Sequence, residues 1–191
     1  VALVDKVDAK IAPRLAEIDE QIVENESKVL RSFQEHNVAE SDLTGSTGYG
    51  HYDEGRDKLE AIYADVLGGE DALVRPQLIS GTHAIGVALL GLVRPGDEIV
   101  YITGKPYDTL QEVLGIAGDG VGSPKEYGIG VDWVDLLPNG EVDVDAIKKR
   151  VTPKTTVVAI QRSRGYATRD SFTVAKIAAM IKVVKEVAPK S

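Results

Sequence analysis

The sequence predicts an α/β fold with a mostly parallel sheet, preceded by an N-terminal helical segment. Three observations predict it. The first forty residues carry apolar side chains at helical spacing. From residue 56 onward, strand-like and helix-like segments alternate, strand then helix, four times. Turn sequences such as Arg94-Pro95-Gly96-Asp97 and Pro138-Asn139-Gly140 punctuate the alternation.

Pro13 suits the first turn of a helix that runs through Leu15, Ile18, Ile22, Val29, Leu30 and Phe33 to Glu35, with a shorter helical piece ahead of it. So long an amphipathic helix outside an alternating core needs something to pack on, and a partner subunit is one candidate. Residues 41–55 form a glycine-rich loop that also holds Tyr49, His51 and Tyr52. Aromatic residues there suit a binding loop as well as a plain surface loop. A helix is expected over 56–67 and a strand over Ala72–Ile79, in which Pro76 is an awkward member. Then come a buried helix over Gly81–Val93, a strand over Glu98–Thr103, a helix over Asp108–Ile116 and a loop over 118–130. A strand over Val131–Leu137, a short helix over Val144–Val151 and a β-branched strand over Thr155–Gln161 follow. The chain continues as a loop over Arg162–Ser171 and an amphipathic helix over Thr173–Val187.

Composition removes several classes of function. Thirty acidic against 22 basic residues give a net charge of −8, which disfavours a nucleic-acid partner. With no cysteine there is no disulfide framework, thiolate metal site or cysteine nucleophile in these residues. His36, His51 and His83 are scattered without metal-ligand spacing, so no metal is expected. No apolar run approaches the roughly 20 residues that cross a bilayer, and no charged start leads into an apolar core. A cytoplasmic protein with no membrane partner is the expectation. Asn25-Glu26-Ser27 fits a glycosylation triplet only by chance on this reading. The chain begins at Val1, has Met180 as its only methionine, and stops at Ser191 just past a helical pattern. A helix in an alternating α/β chain is normally followed by a strand, so a fragment of a longer chain is expected.

Ligands of open α/β sheets bind beyond the carboxyl ends of the strands. Three predicted loops leave in that direction: Ser80 to His83, Gly104 to Thr109, and Arg162 to Tyr166. Gly81 lets a backbone approach closely, and the first N–H groups of the following helix favour an anion such as phosphate. Ser80 and Thr82 add hydroxyls, although Ser80 also reads as a simple helix cap. His83 reads as a packed helix residue, not a base. Tyr107 could lie flat on a planar ligand or pack on its own turn. Arg162, Arg164 and Arg169 could fork onto a carboxylate or phosphate or remain solvated. Other templates fail. No P-loop or Gly-x-Ser-x-Gly elbow is present, and Gly118-Asp119-Gly120-Val121-Gly122 lacks the strand-to-helix setting of a dinucleotide site.

The stretch from Gly45 through Tyr49, Tyr52 and Arg56 to Tyr63, then Ala72 to Ile85, closely resembles the aluminium resistance protein family, also called methionine gamma-lyase-like. Arg94 to Glu98, Gly104-Lys105-Pro106-Tyr107-Asp108-Thr109 and Ile160 to Tyr166 continue the match in order. The resemblance spans Gly45 to the C-terminus and fits the first forty residues more loosely. It implies a fold type I pyridoxal-phosphate enzyme, a three-layer α/β/α large domain and a homo-oligomer, dimer or tetramer. Residues 1–40 would be the helical segment, and 41–191 the N-terminal portion of the cofactor-binding domain. By that resemblance Ser80, Gly81 and Thr82 form the phosphate cup, and Tyr107 stacks on the pyridine. Tyr49 (or Tyr52, in an alternative register) and Arg56 reach a neighbouring subunit's cofactor phosphate. Gln161, Arg162 and Arg164 lie near the cofactor's phenolic oxygen and the substrate carboxylate. The loop departs from the Asn-Pro form of relatives, so no one residue is assigned to that oxygen.

The chemistry also needs a lysine for the Schiff base and a carboxylate on the pyridine nitrogen. In the family both lie further along the chain, so the lysine is expected beyond Ser191. Lys105, beside Tyr107, does not match it. The whole protein is expected to be a carbon–sulfur lyase using pyridoxal 5'-phosphate on a sulfur amino acid, and the fragment alone inactive. Two alternatives stay open. One is another fold type I reaction, of aminotransferase or aldolase type. The other is a non-catalytic phosphate-binding or assembly module.

Overall fold

The computed structural model describes residues 1–47, 49 and 53–190. They form two compact units, Val1–Gln77 and Leu78–Ser191.

The first unit is helical. Helix α1 runs unbroken over Ala2–Glu35, with Pro13 inside it. The expected break before Pro13 is absent. The ring crowds the preceding turn and removes one N–H, yet the helix continues through it. A 3-10 turn, Glu40–Leu43, leads to α2, Glu54–Leu67. Gly55 lets α2 start against that turn, because a Cβ there would lie 2.2 Å from the carbonyl oxygen of Asp42. Lys58 ties the same junction, donating to Asp42 Oδ2 at 2.8 Å and to the Asn37 carbonyl at 3.1 Å. The Lys58 ammonium and the Ala39 N–H hold the Asp42 carboxyl below its ordinary range. Helix α2 ends on Gly68 in the left-handed region, φ 69°.

The strand expected over Ala72–Ile79 does not form. The Val74 N–H donates to Glu60 Oε1 at 2.8 Å, and the same carboxylate takes the Arg75 guanidinium. Side chains of α2 satisfy this stretch where a ladder would have done so, and Pro76 could not have donated to one.

The second unit is the α/β part. Helix α3 (Gly81–Leu92) leads to β1 (Glu98–Tyr101), α4 (Asp108–Val113), β2 (Gly130–Trp133), α5 (Val144–Arg150), β3 (Thr155–Ala159) and α6 (Val174–Val187). The three strands are parallel in the order β2-β1-β3. Strand β1 is therefore central, and its side chains alternate between two cores. Ile99 and Tyr101 pack with Leu89, Leu110, Leu114 and Ile129 on the α3–α4 side. Val100 and Ile102 pack with Ile147, Phe172, Met180 and Val184 on the α5–α6 side. That is the expected layering of helix, sheet and helix.

Arg150 ties two neighbouring strands together. It reaches Glu98 of β1 at 3.1 Å and Asp132 of β2 at 2.5 Å. Burial alone would raise the Asp132 carboxyl; the Arg150 guanidinium and the Trp133 N–H outweigh it and lower it. A depressed carboxylate stabilises the fold above its unfolded value, near pH 4, and that share is lost as pH falls through the folded value. Arg150→Met is expected to cost about 1 kcal/mol at neutral pH, the cluster being half-open to water. Urea melts at neutral and acid pH check it: the variant should lose less stability on acidification than the parent.

Candidate functional site

The strand order places a crevice. The chain leaves β1 for a helix on one face of the sheet and leaves the adjacent β3 for a helix on the other face. The two loops diverge at the carboxyl ends, which is where open α/β sheets hold ligands. The loop after β1 carries Tyr107 and the loop after β3 carries Gln161. They are joined: the Tyr107 N–H donates to Gln161 Oε1 at 3.0 Å, and the Gln161 N–H donates to Thr103 Oγ1 at 2.9 Å.

Cavities open on both sides of this junction, and Tyr107 and Gln161 line each. One, of about 490 Å³, is bounded by Gly81, Thr82, Ile85, Tyr107, Thr109 and Gln161. The other, of about 400 Å³, is bounded by Lys105, Tyr107, Asp108, Gln161, Arg164 and Tyr166. Both are within the usual range for a small organic ligand.

The floor of the first cavity is the start of α3. Ser80 is extended, and its Oγ accepts the His83 N–H at 3.0 Å, so the helix is capped from within. The cap leaves the hydroxyl proton of Ser80 free to donate outward. The N–H groups of Gly81 and Thr82 lie in the first turn, where no carbonyl of the same helix can take them. A Cβ added at Gly81 would meet nothing within 4 Å, so the space before the helix end is open. The Thr82 and Thr109 hydroxyls lie 3.0 Å apart at one side. Free amide donors, hydroxyls and a positive helix end make a set that suits a phosphate. His83 is exposed, contrary to its reading as a packed residue, because α3 turns only Gly86 and Leu89 fully inward.

On the other side, Tyr107 is stacked with Tyr166, ring centroids 6.1 Å apart and planes 24° off parallel. The Tyr166 hydroxyl raises the Tyr107 phenol above its ordinary value. Gly165 permits this approach. It has φ 55°, and a Cβ would lie 3.0 Å from Cε2 of Tyr107. Gly165→Ala is therefore expected to displace the Tyr107 ring, with a backbone cost of about 1–2 kcal/mol. Ring proton shifts of Tyr107 and Tyr166 in an NMR spectrum would report it; unchanged shifts would show that the contact is not constraining.

Arg169 was legible only as one of three arginines, yet it organises the loop. Its Nη2 donates to the carbonyls of Gln161 (3.2 Å) and Ser163 (2.8 Å), its Nη1 donates to that of Asp170 (2.7 Å), and its guanidinium lies 4.3 Å from the Phe172 ring centre. Burial lowers its pKa. Of the other two arginines, Arg164 lines the second cavity, and Arg162 is exposed while its carbonyl takes the Phe172 N–H. Lys105 Nζ sits 5.5 Å over the Trp133 ring. Thr109 and Tyr166 join the site without having been singled out; the only signal was their place in the Gly104–Thr109 and Ile160–Tyr166 stretches.

The structure thus brings together Ser80, Gly81, Thr82, Tyr107, Gln161 and Arg164 within one unit. Tyr49 and Arg56 belong to the helical unit, where Tyr49 is exposed and Arg56 pairs with Asp53 at 3.3 Å. Tyr52 lies outside the described residues. Among the described residues no helix is long and apolar enough to cross a membrane, and no cluster of histidine and carboxylate side chains could hold a metal ion.

The chain is similar to the uncharacterized protein YnbB of Bacillus subtilis (strain 168), 54% identical over 183 residues, which are 95% of this chain and 44% of that protein. It superposes on a Listeria monocytogenes protein whose name carries a proposed cystathionine beta-lyase activity and involvement in aluminum resistance. That match has a TM-score of 0.95 at 52% identity, over 99% of this chain and 47% of the other. A carbon-sulfur lyase involved in aluminum resistance from Clostridium novyi NT superposes with a TM-score of 0.91 at 38% identity, over 99% of this chain and 45% of the other. The chain spans less than half the length of these relatives. The family model described as methionine gamma-lyase matches residues 1–191, from the long first helix through the Tyr107 and Gln161 loops to the end, and the chain belongs to that family.

Proposed function

We propose that this chain supplies the phosphate- and ring-holding part of a pyridoxal-phosphate-dependent carbon–sulfur lyase acting on a sulfur amino acid. The observation that carries the proposal is the cavity in which an open helix start, two threonine hydroxyls and a tyrosine ring face one space beyond the sheet. When bound, the cofactor supplies an electron sink for the bonds at the amino acid's α-carbon and its neighbours.

The residues present divide the work. The N–H groups of Gly81 and Thr82, with the hydroxyls of Ser80 and Thr82, hold the phosphate at the positive end of α3. Tyr107 covers one face of the ring, held by Gln161 behind it and Tyr166 beside it. Arg164, exposed at the rim of the neighbouring cavity, is placed to attract the substrate carboxylate. Tyr49, or Tyr52, and Arg56 act on a second subunit's phosphate in a homo-oligomer. None of the lysines here matches the family's Schiff-base position, so these residues bind and orient, and the proton-moving lysine comes from the remainder of the protein.

The test uses the whole protein containing this chain. With pyridoxal phosphate and a sulfur amino acid it should release a thiol, ammonia and a 2-oxo acid together. Transfer of the amino group without thiol release would favour the aminotransferase alternative. Failure to bind pyridoxal phosphate at all would sink the proposal.

A further inference from the structure

The loop between β3 and α6 is exposed over residues 162–168, with half-buried Gln161 and Arg169 at its two ends. It nevertheless carries groups that meet Tyr107 from two sides. Gln161 Oε1 at its base takes the Tyr107 N–H at 3.0 Å, and the Tyr166 ring within it stacks on the Tyr107 ring. The loop does little to hold its own shape. Between residues 162 and 168 its backbone makes one internal bond, from the Ala167 N–H to the Arg164 carbonyl at 2.9 Å.

Arg169 supplies what the backbone lacks. Its guanidinium bridges the two ends of the loop, from the Gln161 and Ser163 carbonyls (3.2 and 2.8 Å) to the Asp170 carbonyl (2.7 Å). The same group lies 4.3 Å from the centre of the Phe172 ring, a core residue 3% exposed, whose N–H donates to the Arg162 carbonyl at 3.2 Å. One side chain thus links the end of β3, the exposed loop and the α5–α6 core. The coupling reaches Tyr107 through Ser163. Gln161 Nε2 donates to the Ser163 carbonyl at 3.3 Å, the carbonyl that Arg169 also holds, and this turns Gln161 Oε1 toward the Tyr107 N–H. The acceptors are neutral carbonyls on separate segments. Reaching them together needs the planar fork of a guanidinium, which an ammonium does not have.

We propose that Arg169 is a positioning residue for the ring-holding side of the site: it closes the 162–168 loop, and the closed loop sets Gln161 and Tyr166 against Tyr107. The effect on a bound ring rests on the cofactor reading above; the closure of the loop does not. Two measurements on the whole protein keep these apart.

The first needs no cofactor. Arg162 and Arg164 are trypsin sites inside the loop. Arg169→Met keeps the apolar stem and removes every donor, and it should raise the initial rate of cleavage at those two sites about tenfold. Cleavage at the unaltered rate would overturn the proposal. The second is equilibrium dialysis with pyridoxal, pyridoxal phosphate and inorganic phosphate. Arg169→Met should weaken the first two by the same factor, about tenfold, and inorganic phosphate by less than about twofold, since the anion is held at the start of α3. Ethylguanidinium added to Arg169→Ala should recover most of the loss, and ethylammonium should not. Equal losses for all three ligands would mean a general loss of structure and overturn the proposal. So would full affinity in Arg169→Lys or full recovery with ethylammonium, because charge alone would then suffice. If the unaltered protein binds neither pyridoxal nor pyridoxal phosphate while the trypsin result holds, the cofactor reading fails and the closure by Arg169 stands.

Discussion

Replacing Ile102 with alanine is expected to lower the unfolding free energy of the α/β unit by about 2–5 kcal/mol. Ile102 is completely buried and follows the end of the central strand. Its side chain sits in the core shared with Val134, Ile147, Phe172 and Met180. Truncation removes three methyl or methylene groups from a site walled by a sheet and two helices, which cannot readily collapse to fill the space. Its N–H also donates to the Ala159 carbonyl at 3.0 Å, just before the chain enters the Thr103–Gln161 and Tyr107–Gln161 contacts. The loss should therefore reach the cavity as well as the core. Urea unfolding would measure it, with Ile85→Ala as the comparison. Ile85 is 44% exposed on α3, and its truncation should cost much less. Equal costs at the two positions would contradict the layered core described above.

The contrast between the two units explains what could be read from the residues alone. In the α/β unit each strand and helix is a local pattern: Thr155-Thr156-Val157-Val158-Ala159 is β-branched, and α6 has an amphipathic period. The expected elements appear there with ends shifted by a few residues, but α3, expected to be buried, leaves Ile85, Val87, Leu90 and Leu92 exposed. The segment before α3 failed because apolar residues alone do not make a strand. Val74 and Arg75 are held by Glu60, a carboxylate fourteen and fifteen residues earlier, and no local pattern announces that pairing. Pro13 misled in the opposite direction, since a favourable first-turn residue was read as a start where the helix simply continues. At the site, Tyr107 was legible because it follows a strand at the expected end of the sheet, whereas the strand expected before Ser80 is absent and Ser80 to Thr82 were legible only as the Ser-Gly-Thr start of a helix. Tyr166 against Tyr107, and Arg169 across the carbonyls of Gln161 and Ser163, depend on how a long loop closes on itself. That closure is set by Gly165 and by packing on Phe172, which are contacts of the fold and not of the sequence.

Removing the hydroxyls of the proposed phosphate cup, by Ser80→Gly together with Thr82→Val, is expected to weaken pyridoxal phosphate binding to the whole protein by about a hundredfold or more. Each hydrogen bond to a charged group contributes about 1.5–3 kcal/mol, and tenfold in affinity is about 1.4 kcal/mol. The choice of substitutions separates binding from folding. Ser80 also caps α3 through the His83 N–H. Glycine keeps a helix start with a loss of only a few tenths of a kcal/mol, whereas alanine would cost about 1 kcal/mol. Valine keeps the shape of Thr82 and removes its bond with Thr109. The decisive readout is a second ligand, pyridoxal, which carries the same ring without the phosphate. Its binding by equilibrium dialysis should change less than about twofold, because Tyr107 and Gln161 are untouched. Parallel losses for both ligands would mean that the substitutions disturbed the ring side of the cavity or the fold itself. An unchanged affinity for pyridoxal phosphate would mean that the open end of α3 is not where the anion sits.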